Sequence, residues 1–149
     1  MTLEESDREE HYRRLERLYL AAPTNEYFRP RITVMEGCSE VEIDVRPDLM
    51  HAARAVHGVA YFKLLDDACF FAVNSLVNDV VVLTTGFNLH LTRPVTDGTM
   101  KATGKVVHAS RRLYLAEGEA FDAQGRLIAR GSGSFMRSTI PLNAEVGYE

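Results

Sequence analysis

Two adjacent carboxylates, Asp66 and Asp67, stand inside an apolar run from His57 to Val77 that reads HGVAYFKLLDDACFFAVNSLV. After Gly58 the run holds neither Gly nor Pro, so it predicts one long helix, roughly 30 Å from end to end. A carboxylate held in dry surroundings gains proton affinity and becomes a candidate general base or nucleophile. The bland alternative is an ion pair, because Lys63 lies three and four residues upstream and reaches either acid along the helix surface. Successive side chains diverge by about 100° around a helix, so the two acids cannot serve one site equally. Helical geometry leaves open which of them faces a site. At the head of the run, His57-Gly58 would place backbone N–H groups and the helix dipole where a developing oxyanion could be held. Arg111-Arg112 forms a small basic turn, read either as solvated surface or as a phosphate contact.

The remaining chemistry-bearing residues form no metal pattern. His51 and His57 are six apart, not the four that stacks two ligands on one helical face, and no zinc-type Cys or His spacing occurs. No glycine-rich phosphate loop and no GxSxG elbow is present. Two separated cysteines, Cys38 and Cys69, show no disulfide framework. A net charge of −4 provides no electrostatic footprint for nucleic acid. Charges in the middle of the apolar run argue against a membrane span. Met1 to Glu10 is polar and acidic with no apolar signal stretch, which makes the cytoplasm the expected compartment.

The elements that must position these groups follow from hydrophobic period. A chain of 149 residues is expected to form one domain over 1–149. Tyr12, Leu15, Leu18 and Tyr19 recur at helical spacing, predicting an N-terminal helix within residues 1–22, with Ser6 to Glu9 as its capping box and Pro23 beyond its end. Ile32 and Val34, then Val41, Ile43 and Val45, predict two short strands separated at Glu36-Gly37. Beyond Asn78-Asp79 the period is two. Val80 to Thr92, Met100 to His108, Leu113 to Phe121 and Leu127 to Met136 read as strands, and residues 139–149 as a loosely ordered tail. The sum is an α+β fold: a curved antiparallel sheet of five to six strands wrapped around one long central helix. One side of such a helix, or a sheet edge, needs further cover, which by burial alone predicts a dimer, a homo-oligomer of this chain.

His57-Gly58, Leu65-Asp66-Asp67-Ala68 and Phe71-Ala72-Val73-Asn74-Ser75 resemble the HGG…LxDxAxxxA signature of hotdog-fold acyl-CoA thioesterases, closest to the phenylacetate-pathway type. Thr84 through Gly98, with Arg93-Pro94, is similar to the family's strand ending in a glycine turn, and Gly104 to His108 and Gly125 to Gly131 continue the likeness. The resemblance covers roughly residues 30 to 138. It implies an acyl-CoA substrate, with coenzyme A entering as part of that substrate and no metal or redox cofactor. It selects Asp66 as the catalytic carboxylate and leaves Asp67 to pair with Lys63. It implies that Gly58 supplies the N–H that polarises the thioester carbonyl, next to His57, and that Thr84 helps to place the attacking water. The site would be a cleft shared between two subunits of a dimer or tetramer.

The sequence departs from the pattern where His51 replaces the usual Asn and Val59 the second glycine. His51 would then offer a pH-dependent hydrogen bond to the carbonyl or the water. Val59 narrows the room near the acyl group, and Arg93, Arg111 and Arg112 are the candidate substrate-binding cations. The alternatives are a non-catalytic acyl-CoA-binding protein on the same fold and, ranked lower, a hotdog dehydratase or hydratase.

Overall fold

The computed structural model describes residues 3–149. Three helices, α1 (Leu3–Ala21), α2 (Asn25–Phe28) and α3 (Gly58–Asn74), accompany six strands. The strands are β1 (Arg31–Met35), β2 (Cys38–Asp44), β3 (Val80–Leu91), β4 (Thr99–Ala109), β5 (Tyr114–Phe121) and β6 (Leu127–Pro141). They form one antiparallel sheet in the order β1-β2-β4-β5-β6-β3. The sheet curves around α3 in the hotdog arrangement. Apolar alternation writes the inner face plainly: Tyr114, Ala116, Gly118 and Ala120 of β5 are buried, and the residues between them are exposed.

Close approach fixes the height of α3 over the sheet. A Cβ on Gly104 would come within 2.5 Å of the Ala68 carbonyl group, and one on Gly118 within 2.9 Å of Leu65. The helix backbone therefore lies directly on β4. Ser39 of β2 adds a buried hydrogen bond, its hydroxyl donating to the Ala68 carbonyl at 2.7 Å. These contacts sit beside Asp66 and Asp67, so the middle of the helix is its most tightly seated part. At its C-terminal end, buried Asn74 donates to the Val77 and Val80 carbonyls and accepts from the Val82 N–H. One side chain thus shapes the connection from α3 into β3.

The two sheet edges are treated differently. At β1, α1 closes the edge with side chains: Glu16 accepts from the Val34 N–H and Arg13 donates to the Val34 carbonyl, both at 2.8 Å. At the other end, twelve-residue β3 has no strand beyond it among the described residues. A long unpaired edge strand is a template for pairing with another chain.

Three expectations are corrected. The first helix begins by Leu3, so Ser6 lies inside it rather than capping it, and Glu4 and Glu5 occupy the first turn, where the helix dipole favours acids. The central helix ends at Asn74 rather than Val77, because the Asn74 side chain bonds the backbone of the following turn. The segment 139–149, expected to be loose, continues β6 to Pro141 and then a short 3-10 turn at Ala144–Val146. Buried His11 ties it down: Nε2–H donates to the Asn74 carbonyl at 3.0 Å, leaving Nδ1 to accept from the Tyr148 hydroxyl at 2.8 Å. Cys38 and Cys69 are free thiols. Among the described residues, no helix is long and apolar enough to cross a membrane.

Candidate active site

The sheet covers most of α3 but leaves one stripe open. Val59, Phe62 and Asp66, spaced three and four apart, share that stripe, and Val59 and Phe62 remain 52% and 40% exposed. Asp66 is half-buried there, and its Oδ1 accepts a hydrogen bond from the Thr84 hydroxyl at 2.8 Å. Desolvation is the largest influence on the Asp66 carboxyl and raises it from 3.8 to about 6. The Thr84 hydrogen bond and the Lys63 charge work downward, and the Asp67 charge works upward.

Thr84 reaches Asp66 through an irregularity in β3. Phe87 and Leu89 pack inward against the core, and strict alternation would turn Thr84 to the opposite face from Phe87. Between Thr84 and Gly86 the register with β6 slips by one residue, so Thr85 is an extra residue on β3. The bulge lets Thr84 and Phe87 both face α3, a common device for re-aiming a side chain.

Asp67 faces the flank covered by α1. The Lys63 ammonium lies 2.7 Å from its Oδ2, and the Tyr19 hydroxyl donates to the same oxygen at 2.5 Å. Burial pushes this carboxyl up, while the Lys63 charge and these two hydrogen bonds pull it back. Tyr19 was not marked in the sequence as a partner of either acid. Its helical spacing accounts for its buried ring but carries no information about a hydroxyl bond to a residue 48 positions away.

The other sequence candidates are distributed as follows. His57 caps α3, its Nδ1 accepting from the Val59 N–H at 2.9 Å and its carbonyl from Ala60. That leaves the Gly58 N–H, at the helix head, without an acceptor among the described residues. Leu91 packs 3.3 Å from where a Gly58 Cβ would stand. His51 is exposed in the preceding loop, where its Nδ1 accepts from the Ala53 N–H at 3.1 Å and its ring centre lies 6.4 Å from that of His57. Arg93 is exposed just past β3, its carbonyl accepting from the Tyr61 hydroxyl. Arg111 and Arg112 stand elsewhere, in the β4–β5 turn, lining an open cleft of about 680 Å³ with Tyr114, Met136 and Arg137. Thus Asp66, Thr84 and Val59 share the open side of α3, with His57, Gly58 and His51 at its head, and the arginine turn forms a separate surface. Among the described residues, no three His, Cys, Asp or Glu side chains gather to hold a metal ion.

Comparison with known proteins identifies the class. The family model of the thioesterase superfamily matches residues 54–129, slightly more than half of the chain, from the loop before α3 into β6. The chain belongs to this superfamily and carries its hotdog fold. Among solved structures it is similar to the PaaI protein of the phenylacetic acid degradation operon of E. coli (TM-score 0.81, 20% identity, 89% of this chain and 96% of that one). It is also similar to the conserved protein PA5202 of Pseudomonas aeruginosa (TM-score 0.75, 26% identity, 80% and 96%). A curated relative, named "Putative esterase Rv1847", from Mycobacterium tuberculosis strain H37Rv, is 28% identical over 97 residues, 62% of this chain and 69% of its own.

Proposed function

We propose that the protein hydrolyses acyl-CoA thioesters to free acid and coenzyme A, with Asp66 activating the water that attacks. The observation that carries this reading is the Thr84–Asp66 hydrogen bond on the open stripe of α3. It fixes one carboxylate oxygen and leaves Oδ2 without a hydrogen-bond partner among the described residues. A carboxyl raised to about 6 is ionised at neutral pH yet basic enough to accept a proton from water. The water oxygen bonds to the thioester carbon and its proton passes to Asp66. Collapse of the tetrahedral intermediate then breaks the C–S bond, and the departing sulfur takes that proton, releasing coenzyme A as its thiol and restoring the carboxylate. The free Gly58 N–H, backed by the helix dipole, is the donor for the oxyanion.

Gly58 and Asp66 lie eight residues apart on one helix, about 12 Å along its axis, too far to meet at one carbonyl. Two copies with α3 helices side by side and antiparallel would bring the Gly58 of each beside the Asp66 of the other. The exposed Val59 and Phe62, half-exposed Leu91 and the unpaired β3 edge support that pairing. In it, His51 stands near the oxyanion donor, Val59 limits the acyl pocket, and Arg93, Arg111 and Arg112 are available to the coenzyme A phosphates.

A thiol-release assay over short, medium, long and aryl acyl-CoAs tests the proposal. Release by the native protein should fall by roughly 10²- to 10⁴-fold in Asp66→Ala, the usual loss for a removed general base. Undiminished release in that variant refutes the assignment. Acyl-CoA binding with no release from any member of the panel favours a non-catalytic binder.

A further inference from the structure

The proposed reaction uses Asp66, but the same turn of α3 carries a second charged group that the reaction does not touch. Lys63 and Asp67 form an ion pair with both side chains only 14% exposed. Tyr19 closes over it from α1, and the Lys63 ammonium also lies over the rings of Tyr19 and Phe28, at 5.1 and 5.4 Å from their centres. Burying such a pair is expensive, and apolar residues of similar size would join α1 to α3 at least as well. Stability alone is therefore a weak reason for it. Its location supplies another: it sits within one turn of the half-buried Asp66.

We propose that Lys63 and Asp67, clamped beneath Tyr19, are positioning residues that balance the charge beside Asp66, so that a single free carboxylate faces the site. This rests on the reading of Asp66 as the reacting group. The groups that bear on Asp66 are few. Lys63 and Asp67 share its helix and act in opposite directions, and the Thr84 hydroxyl meets it from β3. Cys69 lies one turn along, its thiol pushed up to about 12 by burial and by the charges of Asp66 and Glu117 of β5, and so neutral. The Tyr19 hydroxyl, from α1, is held protonated by burial and by the adjacent acids.

Titration of the Asp66 carboxyl by ¹³C NMR tests this without requiring turnover, the resonance being assigned by its absence in Asp66→Asn. In Asp67→Asn, which removes the negative neighbour and keeps the ammonium, the midpoint should fall. In Lys63→Met it should rise, and in the double variant it should return toward the native value. Each single shift is expected at about half to one pH unit, at or below the roughly 1 to 3 units of a directly opposed charge, because both groups lie on the neighbouring flank of the helix. A network serving only to hold α1 in place would lower the melting temperature and leave the midpoint where it was. Midpoints that stay put, or that move the same way in both single variants, overturn the proposal. If Lys63→Met fails to fold, the decision passes to the double variant, whose midpoint must lie above that of Asp67→Asn. Full thiol release in Asp66→Asn would instead refute the catalytic reading, while opposed shifts would still stand as a measured charge balance.

Discussion

Replacing Asp66 by Asn should abolish thiol release and make the protein more stable at neutral and higher pH. Desolvation on the open stripe of α3 raises this carboxyl from 3.8 to about 6, whereas in the unfolded chain it ionises near its ordinary value. Between those two values the folded state still holds a proton that the unfolded state has released. Stability therefore falls as pH rises through the window and stays low above it. A gap of about two pH units, at about 1.36 kcal/mol each, sets a ceiling of about 3 kcal/mol. Water reaching the half-buried carboxylate screens part of this, leaving about 1–2 kcal/mol. Asparagine cannot ionise, keeps the shape and can still accept the Thr84 hydrogen bond. The variant should gain this amount at about pH 8 and nothing at about pH 3, because there the carboxyl is protonated in the unfolded chain as well as in the fold. In a chain of this size the gain corresponds to roughly 3–6 °C in melting temperature. Melts of both proteins at the two pH values, at one protomer concentration because association shifts the midpoint, provide the comparison. Equal or lower stability of the variant near pH 8, or a difference that ignores pH, would refute the desolvation argument.

Three further outcomes follow from named contacts. Thr84→Val keeps the shape but removes the donor that stabilises ionised Asp66, so the acid limb of kcat/KM should move upward, with a loss of roughly tenfold or more near neutrality; an unmoved pH profile would discount the bond. Gly104→Ala would press a methyl against the Ala68 carbonyl group, where helix backbone cannot turn aside. It should cost about 3 kcal/mol or more in urea unfolding, and a cost below about 1 kcal/mol would mean that α3 lifts freely. Asn74→Ala strands the buried Val82 N–H and two carbonyls, with an expected loss of about 2–4 kcal/mol and faster hydrogen exchange at Val82.

The helix around Asp66 and the strands that wrap it were legible because their signals are local. An apolar run without Gly or Pro, and alternation such as Val41, Ile43 and Val45, follow from backbone period alone. The break at Glu36-Gly37 was equally legible and is the β1–β2 turn, where Gly37 adopts a φ of +64°. The Lys63–Asp67 pair was one of two i,i+3 or i,i+4 options visible in the sequence. Thr84 entered only through family likeness, since alternation opposes it to Phe87 and a bulge of one residue is invisible to a period-two reading. Tyr19 was read only as part of the apolar stripe of the first helix, and its bond to Asp67 was missed, because such a stripe marks a ring as buried without saying what its hydroxyl meets.

What the sequence determined by itself was the menu of elements and the angle between two neighbouring acids on a helix. Spacing fixes that angle to about 100° because the helix is a rigid local object. Helical spacing left open which acid faces outward; family likeness pointed to Asp66, and the tertiary structure supplies the physical reason. The sheet covers one side of α3, α1 covers the flank holding Asp67, and the stripe through Val59, Phe62 and Asp66 is what remains open. That division depends on contacts between residues far apart in the chain, such as Tyr19 with Asp67 and Thr84 with Asp66, and local period carries no information about those distances.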